Sequence, residues 1–83
     1  MPPKSDVPNS ADAARTCLDM IRADTGDDSL ELEDPNHARL EGNDRVFFQV
    51  VPTMTFYDCR FTFTVDDQSY EAHSYVETDG LVP

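Results

Sequence analysis

Ala14, Cys17, Leu18 and Ile21 stand at i, i+3, i+4 and i+7, the spacing of one face of a helix. The pattern predicts a helix from Ala11 to Asp24. Ser10 is its expected N-cap, Asp12 complements the dipole and Gly26 stops it. Asp12, Arg15, Asp19 and Arg22 fall mainly on the opposite side, and Met20 sits at the edge of the apolar stripe. After Gly26 the period changes to two. In "SLELE", Leu30 and Leu32 alternate with Glu31 and Glu33, as in a strand with one buried face. "DPNH" reads as a turn with Pro35 at its second position. "HARLE" is then expected to return as a second strand with Ala38 and Leu40 inward, and "GND" at 42–44 punctuates again.

"RVFFQVV" is apolar on both faces and ends at Pro52, which points to a central strand or to one that meets a second surface. "CRFTFTV" and "QSYEAHSYV" form the last hairpin. In the first, Cys59, Phe61, Phe63 and Val65 alternate with polar residues. In the second, Tyr70, Ala72, Ser74 and Val76 form the expected inner face and Glu71, His73 and Tyr75 the outer one. Burial selects an even loop around Asp66–Asp67, because an odd one would set Phe63 opposite Glu71. The predicted architecture is α+β: one N-terminal helix packed on an antiparallel meander of four or five strands. Residues 1–9 read as a flexible lead, 10–77 as a single domain and 78–83 as a tail.

Charge changes this picture most. Seventeen Asp+Glu against six Lys+Arg give a formal charge of -11 over 83 residues. Such a surface is expected to reject direct contact with DNA, RNA or an anionic membrane and to suit a basic partner. The acids cluster. "DTGDDSLELED" holds Asp24, Asp27, Asp28, Glu31, Glu33 and Asp34 with no basic side chain, and "VDDQ" adds Asp66 and Asp67. Glu31 and Glu33, two apart on a strand, would project about 6.5–7 Å from each other, comparable with neighbouring phosphates on one DNA strand. These eight residues are the expected partner-binding set. Tyr57, Tyr75 and Phe47 are the candidate aromatic anchors, with core packing the competing role for each.

Other chemistries find less support. An EF-hand needs Gly at its sixth position; a loop begun at Asp27 puts Leu32 there, and one begun at Asp24 puts Pro35 at its twelfth position. Cys17, His37, Cys59 and His73 lack the short paired spacings of zinc sites, so no metal is expected and both histidines should be exposed. Nucleophile motifs, phosphate-cradling glycine loops and H-E-x-x-H are absent. No cofactor is implied, and a non-enzyme is expected. "MPPKSDVPNS" is followed by no apolar signal core, so the chain is expected inside the cell. There Cys17 and Cys59 are expected to be reduced and buried.

In size, in the charge clusters "DTGDDSLELED" and "VDDQ", and in lacking a catalytic motif, the chain resembles the small phage-encoded inhibitors of the anti-CRISPR and DNA-mimic kind. That resemblance implies an acidic protein of the host bacterial cytoplasm, acting as monomer or homodimer. It would bind a basic nucleic-acid-binding machine and block nucleic-acid binding or complex assembly. It carries no residue-level assignments. Three other readings stand beside it. One is an immunity-type partner that neutralises a basic toxin. Another is a salt-adapted domain, for which twelve Asp to five Glu and one Lys to five Arg speak. The last is a homodimeric module joined through the second face of "RVFFQVV".

Overall fold

In the computed structural model, which describes residues 4–80, the helix α1 runs Ser10–Thr25. It begins one residue earlier than its pattern indicates because Asn9, not Ser10, is the cap: the Asn9 side chain accepts from the Asp12 backbone N–H at 3.1 Å. Gly26 closes the helix in the left-handed conformation, φ 74°, donating its N–H to the Arg22 carbonyl. Ala13, Ala14, Cys17, Leu18 and Ile21 are buried and Met20 packs at the margin, so the apolar stripe is the face that meets the sheet.

Five antiparallel strands follow: β1 Glu31–Leu32, β2 Arg39–Glu41, β3 Arg45–Val51, β4 Thr55–Thr64 and β5 Ser69–Thr78. The α+β class read from the sequence is the observed one. β3 is central, with β4 on one side and both β1 and β2 on the other. Val46, Phe48 and Val50 face the helix together with Tyr57, Cys59 and Phe61 of β4, and all six are buried.

The first two strands differ from expectation. "DPNH" does not reverse the chain. Asp34 caps a 3-10 turn over Pro35–His37, and the chain resumes in its original direction along the same edge of β3. Leu32 pairs with Val50 before the turn and Leu40 with Val46 after it. β1 and β2 are therefore one edge strand interrupted by an arch. Proline at the start of a 3-10 turn keeps the arch tight without requiring a U-turn.

The β4–β5 loop holds four residues, 65–68, since Thr64 pairs with Ser69 and Phe63 with Tyr70. This is the even loop that burial selects. The Gln68 amide closes it on the Val65 carbonyl at 2.7 Å and reaches the Ser5 carbonyl at 3.0 Å. The Asn9 N–H donates to the Tyr70 hydroxyl at 2.9 Å, so the described part of the lead lies against this hairpin.

Further along, the pairing slips. Arg60 pairs with Ser74 but Phe61 with Ala72, and His73 is left over as a bulge. A bulge reverses which side chains face inward. Tyr70 and Ala72 point to the core as expected, but beyond His73 it is Tyr75 that packs there, edge-on to Tyr57 at 5.5 Å. Val76, expected inside, is 61% exposed on the far face.

The cysteines also depart from expectation. Cys17 on α1 and Cys59 on β4 are disulfide-bonded, with Cα atoms 6.4 Å apart, within the span such a bridge requires. The apolar stripe of the helix and the inner face of β4 both carry a cysteine at their line of contact. The expectation of free thiols followed from the compartment alone.

Candidate functional site

The eight acidic residues do not form one surface. Asp24 lies in the last turn of α1, where the Tyr75 hydroxyl hydrogen-bonds to its carboxylate. Asp27 and Asp28 follow the Gly26 cap, and Glu31, Glu33 and Asp34 lead along the sheet edge into the arch. Asp66 and Asp67 sit on the β4–β5 loop, which lies by the opposite end of the helix, as the Asn9–Tyr70 contact shows. There are thus two acidic poles, separated by a 16-residue helix, about 24 Å of rise.

The carboxylates differ in freedom. Asp27 accepts from the Ser29 hydroxyl and, at 3.0 Å, from the Ser29 N–H; these bonds hold its carboxyl below the usual range. Asp34 accepts from the Asn36 N–H at 2.9 Å. Glu33 lies 2.8 Å from His37 Nδ1, and Asp34 stands 3.6 Å from Nε2. The hydrogen bond to Glu33, then the charges of Glu33 and Asp34, raise the His37 pKa. Asp67 accepts from the Ser69 hydroxyl at 2.7 Å. Among the described residues, no basic side chain lies within ion-pair distance of Asp24, Asp27, Asp28, Glu31, Asp66 or Asp67. The arginine ion pairs are Arg15–Asp12, Arg22–Asp19 and Arg45–Asp58.

The register keeps Glu31 and Glu33 on one side of the edge strand. Glu31 pairs with Val51, and the Glu33 N–H donates to the Gln49 carbonyl at 2.9 Å. This is the outer face of the sheet, away from the helix. Across it the strands also carry Arg39, Arg45 and Arg60 beside Phe47, Asp58 and Val76. Arg45 grips Asp58 with two nitrogens and lies 5.3 Å from the centre of the Phe47 ring. Half of the chain's six basic residues therefore stand on the outer face, on β2, β3 and β4, and none lies between Asp24 and Asp34.

The proposed aromatic anchors are mostly committed elsewhere. Phe47 and Tyr57 are only 5% and 6% exposed, and their role is packing. Tyr75 is half-buried, and the hydrogen bond to Asp24, then burial, push its phenol up to about 12. Because the folded value lies above the ordinary value of about 10, this contact stabilises the fold fully below pH 10 and is lost as pH rises toward 12. Burial, then the charge of Glu77, also raises the Tyr57 phenol. Ultraviolet titration of tyrosinate should therefore show two late-ionising tyrosines, and Asp24→Asn should bring one of them, Tyr75, to lower pH. A titration unchanged in Asp24→Asn would remove the contact from the account.

Two open grooves flank the helix. One, of about 410 Å³, lies between Arg15, Leu18, Asp19, Arg22, Glu31 and Leu32. The other, about 420 Å³, runs beside Met20, Asp24, His73 and Tyr75. Next to the second, the Thr62 hydroxyl is 2.6 Å from His73 Nε2, and His73 Nδ1 is 3.7 Å from Glu71. This is a hydroxyl–imidazole–carboxylate row. All three residues are exposed, whereas such a row gains catalytic force from a water-excluded site with oriented oxyanion donors.

The sequence inventory for metals paired the histidines with cysteines. The disulfide removes the cysteines from that inventory. It leaves Glu33, Asp34 and His37 with ligand atoms within 4.8 Å of one another. Their signal in the sequence was E-D-x-x-H, two acids one turn ahead of a histidine. Among the described residues, no helix is long and apolar enough to cross a membrane. No protein-family model, curated protein or solved structure matches the chain.

Proposed function

We propose that the protein is a non-enzymatic acidic inhibitor that docks on a basic, nucleic-acid-binding machine through the pole formed by Asp24, Asp27, Asp28, Glu31, Glu33 and Asp34. One observation carries the reading. Asp24, Asp27 and Asp28 sit at the C-terminal end of α1, the negative end of its dipole, where folding favours cations and acids cost stability. Asp24 and Asp27 are hydrogen-bonded by Tyr75 and Ser29, but among the described residues Asp28 has no such partner and none of the three has a basic one. Carboxylates placed against the dipole in this way are better explained by a recognition surface than by folding alone. The helix end adds its own partial negative charge to theirs. A groove that binds a phosphate backbone offers the complementary potential, and association would be fast and salt-sensitive.

The test is capture from a bacterial lysate at low salt and again at about 0.5 M, where exposed charge pairs are largely screened. A basic nucleoprotein complex held at low salt and lost at high salt is the expected result. Asp28→Asn with Glu31→Gln removes two charges whose side chains make no hydrogen bond among the described residues. This pair should weaken capture at least about tenfold and lessen its salt dependence, with the thermal midpoint unchanged or raised. Undiminished capture by the double variant would end the proposal for this pole.

The disulfide favours a second reading. Such bonds persist in oxidising compartments and are rare in the cytosol, so a neutralising partner for a basic toxin outside the cytoplasm suits it. Trapping thiols with an alkylating agent in intact cells separates the two. Alkylated Cys17 and Cys59 fit a cytoplasmic inhibitor, and protected ones fit the neutralising partner.

A further inference from the structure

We propose that the arch between β1 and β2 is a binding site for a divalent transition-metal ion, held by His37 Nε2 and Asp34 Oδ2 with Glu33 behind the imidazole. The two donors are oriented by contacts that leave their ligand atoms open. With the proton on Nδ1, His37 donates to Glu33 Oε1 at 2.8 Å. That bond fixes the ring and leaves the Nε2 lone pair free, the arrangement in which a carboxylate commonly supports a metal-binding histidine. The other oxygen of Asp34, Oδ1, is engaged by the Asn36 N–H at 2.9 Å, which leaves Oδ2 facing the ring.

Nε2 and Oδ2 stand 3.6 Å apart. This is too long for a good hydrogen bond. It suits two ligands that each lie about 2.0–2.2 Å from one ion at an open tetrahedral angle. Asp34 opens the 3-10 turn and His37 ends it, so the turn itself brings the donors together. An imidazole with carboxylate oxygen selects zinc, nickel, cobalt or copper over magnesium and calcium. With two protein ligands on an exposed turn, water completes the coordination.

The probe is Zn²⁺ alone, with Mg²⁺ as control, followed on the imidazole resonances of the whole protein. His73 is an internal reference: it is also exposed and near a carboxylate, Glu71, but at 3.7 Å and from Nδ1, while its Nε2 is engaged by Thr62 at 2.6 Å. Saturable one-to-one binding that shifts His37 ahead of His73, unaffected by equimolar Mg²⁺, is expected. His37→Ala should abolish it. Asp34→Asn, which keeps the turn-capping oxygen, should weaken it at least tenfold, and Glu33→Gln by about 10–100-fold as loss of outer support does. Equal shifts at both histidines, or unchanged affinity in Asp34→Asn, would overturn the assignment.

Discussion

Phe48→Ala is expected to destabilise the fold by about 3–5 kcal/mol, the range for truncating a large buried aromatic. Phe48 is 1% exposed on the central strand. It lies between Tyr57 of β4, whose ring centre is 6.0 Å away, and the apolar stripe of α1. A domain of this size has about 5–15 kcal/mol in total, so the variant should sit at the edge of folding. Urea denaturation gives the answer directly: the midpoint should fall steeply. Phe63→Ala is the comparison. Phe63 has an identical place in the alternating pattern of β4, but it is only half-buried, against Tyr70 at 5.0 Å. Its loss should be clearly smaller. Equal losses would mean that the helix does not cover the sheet as described.

Reducing the Cys17–Cys59 bond should lower stability by about 4 kcal/mol in the chain-entropy account, because the bond joins residues 42 apart. It ties α1 to β4, and α1 has no other covalent tether to the sheet than the loop that follows it. Thermal melts with and without reductant isolate the cross-link, since both cysteines stay in place and buried. Cys17→Ala with Cys59→Ala adds a loss of packing. Equal midpoints for the oxidised and reduced wild-type protein would show that the core alone holds the helix. The result also matters for location. An inhibitor working in a reducing cytoplasm must fold with about this much less stability.

Much of the architecture was legible in the chain. The 3.6-residue spacing of Ala14, Cys17, Leu18 and Ile21, with Gly26 after it, locates α1. Pro52 closes β3 because proline cannot continue a central strand. Phe63 and Glu71 fix the length of the last loop through burial. The rest was hidden for specific reasons. The strand containing His73 alternates regularly in sequence, and nothing in "EAHSY" announces the residue that drops out of register. Only packing decides: the bulge delivers the large Tyr75 ring to the core and Asp24, and gives up Val76. "DPNH" has turn chemistry that serves a reversal and a 3-10 arch equally well, and pairing with β3 selects between them. The disulfide was within reach of the pattern but not of the compartment argument. At the candidate site, the acidic stretch was plain and its division was not. Asp66 and Asp67 belong to a different end of the molecule, and Glu33 and Asp34 are engaged with a histidine that the inventory paired with cysteines.

β5 has a consequence for behaviour in concentrated solution. It is ten residues long and, among the described residues, pairs only with β4, so its outer rim there presents a row of unpaired backbone donors and acceptors. Such a rim is adhesive toward other strands. Here it carries Glu71 and Glu77, is distorted at His73, and belongs to a molecule of charge -11. Mutual repulsion keeps copies from meeting rim to rim. The acidity thus acts as a colloidal guard, and that guard fades as the medium approaches the isoelectric point near pH 4.1, where chains are expected to add strand to strand into fibres.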